Sequence, residues 1–398
     1  MTTNTATTHI ARGSQGSRLP VPALISLALI GFILVAMETM PAGLLPDIAA
    51  GMGTSEGTVG LFVSAYALGT VIVTVPAISL TRGFRRKPLL LTAVAGLVLA
   101  NAVTAVSTDV AFSLASRFVA GSFSGVIWGM LAAYAIRISP PARSGVALSI
   151  MSIGAPLGFA FGTPLGAFIG AATDWRWAFA GLSILGIAVG AAILAVVPDA
   201  APVPAATRLP LHKVLRLRGV PIILIIIVVW MLAHSTIYTY IAPYLRATQT
   251  GITPDLMLLV YGLASLVGVG LTGVFLDRYP RALLHLSAGT FAAAGVILII
   301  GQASTAAVLV AAVLWGVAFG GTAPQLQNSL TRAGGDNADA ANSFLPVAFN
   351  LAIFGAGIFG AALLTVNDGT ILAVAMAALG TLTLGLTFCG RRSAFTAS

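Results

Sequence analysis

A glutamate, Glu38, directly follows a long apolar stretch near the start of the chain, PVPALISLALIGFILVAM at residues 20–37. An arginine, Arg117, interrupts a second such stretch. A charged side chain inside a bilayer costs about 2.5 to 3.5 kcal/mol even on the insertion scale that gives the smallest values, and such residues are functional by default. The chemistry open to a carboxylate in this setting is the binding and release of a proton.

Both side chains lie seven to eight residues from the same end of their stretches, about 10 to 12 Å below one surface at 1.5 Å per residue. At equal depth, Glu38 and Arg117 can meet. Desolvation favours the protonated acid and a nearby arginine favours the carboxylate, so helix movement or an arriving substrate can switch Glu38 between the two forms. The alternative is a permanent ion pair that fixes two helices.

Composition places the chain in a membrane. Its 398 residues are 58% hydrophobic and 8% charged, and the mean hydropathy is +1.00. A soluble core cannot hold so much apolar surface. The alternative, buried helices of a soluble domain, does not explain runs of about 20 apolar residues, which is the length that crosses a bilayer.

Twelve such runs predict an all-α polytopic membrane protein with 12 transmembrane helices. These runs lack the alternation of barrel strands, and lipid requires backbone hydrogen bonds within the segment. We number them span 1 to span 12. Their predicted limits are 21–46, 58–80, 88–107, 110–136, 145–172, 177–197, 220–245, 255–276, 283–301, 304–331, 341–366 and 370–390.

Basic residues predict the orientation. Of the 20 Lys and Arg residues, 17 fall on the side that carries both termini, two fall on the other side, and Arg117 lies within a span. By the positive-inside rule, both termini are cytoplasmic. The net charge of +9 therefore reflects topology, and we expect no nucleic-acid partner. Residues 1–20 lack a compact apolar region and predict no cleaved signal peptide, so span 1 is expected to serve as the insertion signal.

Two pseudo-symmetric six-helix halves are predicted. A Pro- and Ala-rich, then basic connection separates spans 6 and 7. A shift of 196 residues aligns PAISLTRGFRR (76–86) with TGVFLDRYPRA (272–282), and both copies follow the second span of a half. The predicted divisions are a cytoplasmic tail (1–20), the first half (21–197), a cytoplasmic linker (198–219), the second half (220–390) and a tail (391–398).

The second copy carries a Gly-x-x-x-Asp-Arg-x-x-Arg loop, at Gly273, Asp277, Arg278 and Arg281. With the twelve-span plan, this loop resembles the major facilitator superfamily. The stretches ETMPAGLLPDIA, RFVAGSFSG and GFAFGTPLG in spans 1, 4 and 5 are similar to those of the twelve-span drug:proton antiporters, in the arabinose-efflux-permease and chloramphenicol-resistance-like branch. The first-half loop departs from the superfamily pattern, because Thr81 replaces the aspartate and Ala77 replaces the glycine.

Charged loop residues near helix ends can pair across the two halves and close the cytoplasmic side, through a latch weak enough to break in every cycle. The alternative is that they are positive-inside anchors. The predicted gate residues are Thr81, Arg82, Arg85, Arg86, Asp277, Arg278 and Arg281.

Span 5 carries a glycine every four residues, which predicts close backbone packing at the interface that moves during transport. Pro156 and Pro164 are expected to bend the helix. The packing motif comprises Gly154, Gly158, Gly162, Pro164, Gly166 and Gly170.

Substrate candidates are the aromatic and amide side chains within the spans, which can stack and hydrogen-bond. Interhelical hydrogen bonding is the alternative role for the polar ones. The candidates are Tyr66, Asn101, Trp128, Trp230, His234, Tyr238, Tyr240, Gln325 and Asn350.

Other chemistry is disfavoured. No phosphate-binding GxxxxGK[ST] motif exists, the four histidines are scattered, and Cys389 is the single cysteine, so we expect no ATP motor, metal site or internal disulfide. A polytopic enzyme or receptor lacks a cluster for catalysis or a sensing domain.

The sequence predicts a proton-coupled secondary transporter that exports a small organic compound by alternating access, without a cofactor and driven by the proton gradient. Its expected partners are the substrate, protons and the lipid bilayer, and we expect a monomer in the bacterial cytoplasmic membrane. A proton-coupled importer is the alternative. Glu38 and Arg117 are the opposed charges within the spans, so the interior is close to neutral. We therefore expect an uncharged or singly charged substrate, such as a phenicol-like drug or a sugar-like metabolite.

Overall fold

The computed structural model describes residues 18–81, 83–200 and 211–390. These ranges form helices and contain no strand. Twelve helical segments in them are long and apolar enough to cross a membrane. Their bounds are Val21–Gly43, Glu56–Thr74, Arg86–Val106, Val110–Arg137, Pro141–Ala172, Trp175–Val196, Val220–Thr239, Pro254–Phe275, Pro280–Ile300, Thr305–Asn337, Ala340–Val366 and Ile371–Cys389.

These segments confirm the twelve predicted spans and the all-α class, and each agrees with its predicted limits to within six residues. We call the side on which span 1 begins and span 12 ends the near face, and the opposite side the far face. Large apolar side chains remain exposed along the outside of the bundle, among them Leu99 at 67%, Ile187 at 63% and Leu286 at 67%. Such surface is expected where lipid replaces water.

The repeat of 196 residues is visible in the helices as well as in the loop motif. Span 1 ends at Gly43 and is followed by a short helix, Leu45–Met52. Span 7 ends at Thr239 and is followed by Ile241–Thr248, the segment that the same shift predicts. The prediction of two pseudo-symmetric six-helix halves is therefore confirmed. The residue limits assigned to the tails and the linker stay predictions.

Several spans contain breaks. Span 5 consists of Ser144–Ser152, Gly154–Leu157, a π-helical turn and Thr163–Ala172. The bend predicted at its two prolines stays a prediction. Span 10 is also divided, halfway along its length, and span 11 is divided close to its first residue. Their parts are Thr305–Gly320 and Thr322–Gly334, then Ala338–Asn342 and Phe344–Val366.

In the described residues, the two halves meet where span 2 packs on span 11 and span 5 packs on span 8, and span 1 also contacts spans 7 and 8. Small residues allow this approach. A methyl group on Gly357 in span 11 would overlap Ser64 of span 2, and one on Gly262 in span 8 would overlap Ala160 of span 5. The Ser64 hydroxyl donates a 2.7 Å hydrogen bond to the carbonyl oxygen of Phe354 across the same interface.

The glycine ridge of span 5 does not face this interface, which corrects its predicted role. It packs against span 1 of its own half, where methyl groups on Gly154, Gly158 and Gly162 would meet Ala28, Val35 and Ala36. Continuing along the ridge, Gly166 and Gly170 lie against Met40 and Leu44, and Pro164 is buried within the final helix of the span. The four-residue spacing thus joins two helices of one half.

Candidate functional site

Arg117 is fully buried in span 4 and bonds to the backbone of span 1. One terminal nitrogen of its guanidinium donates to the carbonyl oxygen of Met37 at 2.7 Å and to that of Glu38 at 3.3 Å. The Met37 carbonyl is available because its helical partner four residues on is Pro41, which has no backbone N–H. Arg117 therefore supplies the donor that the proline removes.

Tyr66 of span 2 holds the guanidinium from another side. The centre of the Arg117 guanidinium lies 4.7 Å from the centroid of the Tyr66 ring, a cation–π contact. The Tyr66 hydroxyl donates to the carbonyl oxygen of Leu34 in span 1 at 3.3 Å. Gly121 allows spans 2 and 4 to approach closely here, since a methyl group at this position would overlap the Tyr66 carbonyl.

Glu38 lies beside this group but is not paired with it. The Glu38 side chain is 8% exposed, and its Oε1 atom accepts no hydrogen bond from any described residue. One terminal nitrogen of Arg117 likewise has no partner among these residues. The permanent Glu38–Arg117 ion pair considered from the sequence is not the arrangement found, because the arginine is bound to carbonyl oxygens.

An aromatic cluster surrounds His234 in span 7. The His234 ring stacks on Phe319 of span 10, with centroids 3.5 Å apart and planes at 10°. Trp315 of span 10, Tyr261 of span 8 and Tyr238 of span 7 pack around it, with centroids 5.3 to 5.6 Å from the imidazole. His234 is therefore one member of a cluster that three spans of the second half build.

Trp315 sets the hydrogen-bonding state of His234. The indole Nε1 atom lies 3.0 Å from Nδ1 of the imidazole. An indole N–H can only donate, so Nδ1 is the acceptor and the proton of the neutral ring is on Nε2. His234 thus presents one N–H donor within an aromatic surround. The 196-residue shift that relates the halves places His234 at the position of Glu38.

Tyr238 extends the aromatic cluster to the first half. Its ring packs edge-on against Phe159 of span 5, with centroids 5.9 Å apart. The Tyr238 hydroxyl faces the hydroxyls of Thr39 and Thr163 but lies outside hydrogen-bond geometry. These two threonines bond to each other at 2.6 Å, between spans 1 and 5. Because Thr39 directly follows Glu38, this contact connects the second half to the segment that carries the acid.

Two of the polar substrate candidates bond between helices of one half, as the alternative interpretation predicted. Asn101 donates to Phe179 and Ser183, which joins spans 3 and 6. Gln325 donates to Thr272 and Ser287, which joins span 10 to spans 8 and 9.

Four further candidates have other described contacts. Asn350 donates to a carbonyl of its own helix, and Trp230 packs edge-on against Phe291. Trp128 is half-buried against the core of the first half. Tyr240 lies near the far face.

Arg85, one of the predicted gate residues, is bonded within the first half. Arg85 forms an ion pair of 2.5 Å with Asp199, just after span 6. Asp199 also accepts the backbone N–H of Lys87 in the first turn of span 3, which holds the pKa of its carboxyl below the usual value. The residues that lead into span 3 are thus fixed within the first half.

Two of the remaining gate residues have described bonds within the first half. Thr81 bonds to the Ala77 carbonyl of its own helix, and the Arg86 backbone N–H bonds to the Ala200 carbonyl. No described residue forms an ion pair with Asp277, Arg278 or Arg281. Arg82 lies outside the described residues.

The sequence interpretation missed several members of the site. Pro41 was available as a signal, since a proline frees the carbonyl four residues before it. Trp315 and Phe319, four residues apart in span 10, also mark one helix face. Thr39, Phe159, Thr163 and Tyr261 gave no signal, because their roles depend on which face each span presents to its neighbours.

Two pseudo-symmetric bundles of six membrane-spanning helices, with a buried acid and arginine in one and an aromatic cluster in the other, define a polytopic membrane transporter rather than an enzyme. The chain belongs to the Major Facilitator Superfamily, whose family model matches residues 27–357.

Curated relatives include efflux proteins. A chloramphenicol efflux pump of Mycobacterium tuberculosis is 30% identical over 377 residues, which cover 91% of this chain and 90% of the pump. A protein of Helicobacter pylori described as "Probable sugar efflux transporter" is 27% identical over 345 residues, which cover 84% and 86% of the two chains.

Solved structures share the fold. The human organic anion transporter MFSD10 superposes with a TM-score of 0.68 at 16% identity, covering 92% of this chain and 99% of its own. The nucleoside transporter NupG reaches a TM-score of 0.77 at 11% identity, with 93% and 99% covered. At these identities, the likeness concerns the fold alone.

Proposed function

We propose that this protein is a proton-coupled exporter of a small organic compound, with Glu38 as the proton carrier. The observation that carries the proposal is a buried carboxyl whose neighbouring arginine is bound to carbonyl oxygens. An acid in a permanent ion pair stays ionised, whereas Glu38 is free to gain a proton when water reaches it and to lose it when spans 1 and 4 move.

We assign the near face to the cytoplasm, because the lysines and arginines concentrate there. Contacts between the halves then lie at the midplane and toward the outside, and transport proceeds by alternating access. No cofactor is required. One proton that moves inward down 100 mV releases about 2.3 kcal/mol, which supports roughly a 40-fold outward gradient of substrate.

The substrate in this proposal is uncharged or singly charged. A dication would need a second buried carboxylate to offset its desolvation, and the described span interiors offer Glu38 alone. The His234 cluster provides aromatic faces and one N–H donor, which suits a planar or partly apolar compound with a hydrogen-bond acceptor. The two relatives named for chloramphenicol and sugar efflux support such substrates.

The test is transport into inverted bacterial membrane vesicles, with a panel that contains a phenicol, a sugar and a dicationic dye. Respiration acidifies the vesicle lumen, so an exporter should accumulate the phenicol or the sugar inside, and a protonophore should abolish the accumulation. Because exchange of a neutral compound for one proton moves charge, a membrane potential at equal pH should also drive it. Energised vesicles that lose preloaded compound would indicate proton symport, and preference for the dication would contradict the substrate class.

A further inference from the structure

The far face of the molecule carries a bidentate ion pair between the two halves. Glu56 is the first residue of span 2, and Arg246 lies in the short helix Ile241–Thr248 that follows span 7. The two terminal nitrogens of Arg246 donate to the two carboxylate oxygens of Glu56 at 2.7 and 2.6 Å. This parallel arrangement is the strongest geometry available to an arginine and a carboxylate.

Tyr240 adds a second connection one turn below the ion pair. Its hydroxyl donates to the carbonyl oxygen of Gly357 in span 11 at 2.6 Å and lies 3.2 Å from that of Gly57 in span 2. The ring fits between two glycines, because methyl groups on Gly60 and Gly360 would overlap it. Spans 2, 7 and 11 are thus joined through one side chain from span 7.

The ion pair lies in the wall of an open cleft of about 540 Å³ on the far face. Asp368, which follows span 11, lines the same cleft, but its carboxylate accepts the hydroxyl and backbone N–H of Thr370 within its own loop. The cleft therefore contains one acid that joins the halves and one that does not.

We infer that Glu56, Arg246 and Tyr240 form the gate that closes the far side of the transport pathway. This inference rests on the alternating access of the proposed function, but not on the identity of the substrate or on proton coupling. To open the far side, span 2 must separate from spans 7 and 11, which breaks the bidentate pair and the contact of the Tyr240 hydroxyl with the Gly57 carbonyl. An exposed pair of this kind is weak enough to break in each cycle.

The test uses a cysteine buried beneath the gate. Cys389 is first replaced by serine, and Thr236→Cys is introduced one turn below Tyr240, where the side chain is 1% exposed. A membrane-impermeant maleimide added at the far face then labels the cysteine only when the gate opens. Glu56→Gln and Arg246→Gln should each raise the labelling rate about two- to fivefold. Tyr240→Phe removes the 3.2 Å contact of the hydroxyl with Gly57 across the halves and should raise the rate by a smaller factor.

Two matched controls separate gating from general loosening. Asp368→Asn makes the same charge change as Glu56→Gln in the same cleft, and Tyr244→Phe removes a hydroxyl that bonds to Leu298 within the second half. Both should leave labelling unchanged. The exchanged variant Glu56→Arg with Arg246→Glu should bring the rate back toward that of the parent.

Equal labelling rates in the gate variants and the control variants would overturn this inference. So would an exchanged variant that labels as fast as the single variants while remaining folded. Transport assays test the proposed function separately. If the protein shows no proton-driven export but the gate variants alter the labelling rate, the gate inference is supported. If export is intact but the gate variants leave the labelling rate unaltered, the gate inference is wrong.

Discussion

At the scale of single residues, Pro41 decides what Arg117 can do. The proline leaves the Met37 carbonyl without its helical donor, and Arg117 supplies the replacement at 2.7 Å. The guanidinium is thereby kept on the backbone of span 1 instead of on the Glu38 carboxylate. An acid that must exchange a proton benefits from such a neighbour, since a full ion pair would hold it ionised.

Pro41→Ala should therefore weaken proton coupling. Alanine restores an N–H that competes for the Met37 carbonyl, and Arg117 becomes free to pair with Glu38. We expect substrate-driven proton uptake to fall about tenfold at unchanged expression, measured with a pH-sensitive dye in proteoliposomes, in line with a charged hydrogen bond of roughly 1.5 kcal/mol. Pro22→Ala is the control, because Pro22 lies in the first turn of the helix, where no bond is missing. Equal coupling in the two variants would contradict this role for Pro41.

Trp315 offers a second prediction at this scale. Trp315→Phe keeps an aromatic ring but removes the N–H that fixes the tautomer of His234. Substrate binding should weaken about fivefold, the effect of one lost hydrogen bond of about 1 kcal/mol. In Trp230→Phe, the indole N–H that is lost has no partner among the described residues, so affinity should stay near that of the parent. The comparison is made by calorimetry on purified protein, and equal losses would show that the His234 cluster acts by packing alone.

At the scale of helices, the sequence was sufficient for span limits, because apolar length is a direct requirement of the bilayer. It was also sufficient for the repeat, because the shift of 196 residues relates both ends of the helix Leu45–Met52 to those of Ile241–Thr248. It was not sufficient for the face that each helix presents. Lipid and protein interior are both apolar, so the ridge from Gly154 to Gly170 gave no sign that its partner is span 1.

The ridge yields a prediction about stability. Gly154→Ala adds a methyl group that overlaps the Ala28 carbonyl, so spans 1 and 5 must separate. Overpacking of this kind costs about 1 to 3 kcal/mol, which should appear as a lower midpoint of thermal unfolding in detergent. Gly145→Ala, at the start of the same span, meets no atom within 4 Å and should unfold at or above the temperature of the parent. A ridge variant as stable as this control would show that the close packing is not required.

At the scale of the whole molecule, the two halves share one plan but bury different side chains. Equivalent positions of spans 1 and 7 hold Glu38, next to a buried arginine, and His234, within an aromatic cluster. We interpret the first half as the proton site and the second as the substrate site. The Tyr238 hydroxyl, facing Thr39 beside Glu38, lies where the two would communicate.

The central claim is that Glu38 carries the coupled proton, and one measurement tests it most directly. Parent and Glu38→Gln proteins are reconstituted into proteoliposomes, and uphill substrate transport is recorded under an imposed pH gradient together with downhill substrate exchange without a gradient. The amide keeps the size of the side chain but cannot cycle a proton. We predict that the variant retains downhill exchange and loses uphill transport entirely. Uphill transport by Glu38→Gln in response to the pH gradient would contradict the account.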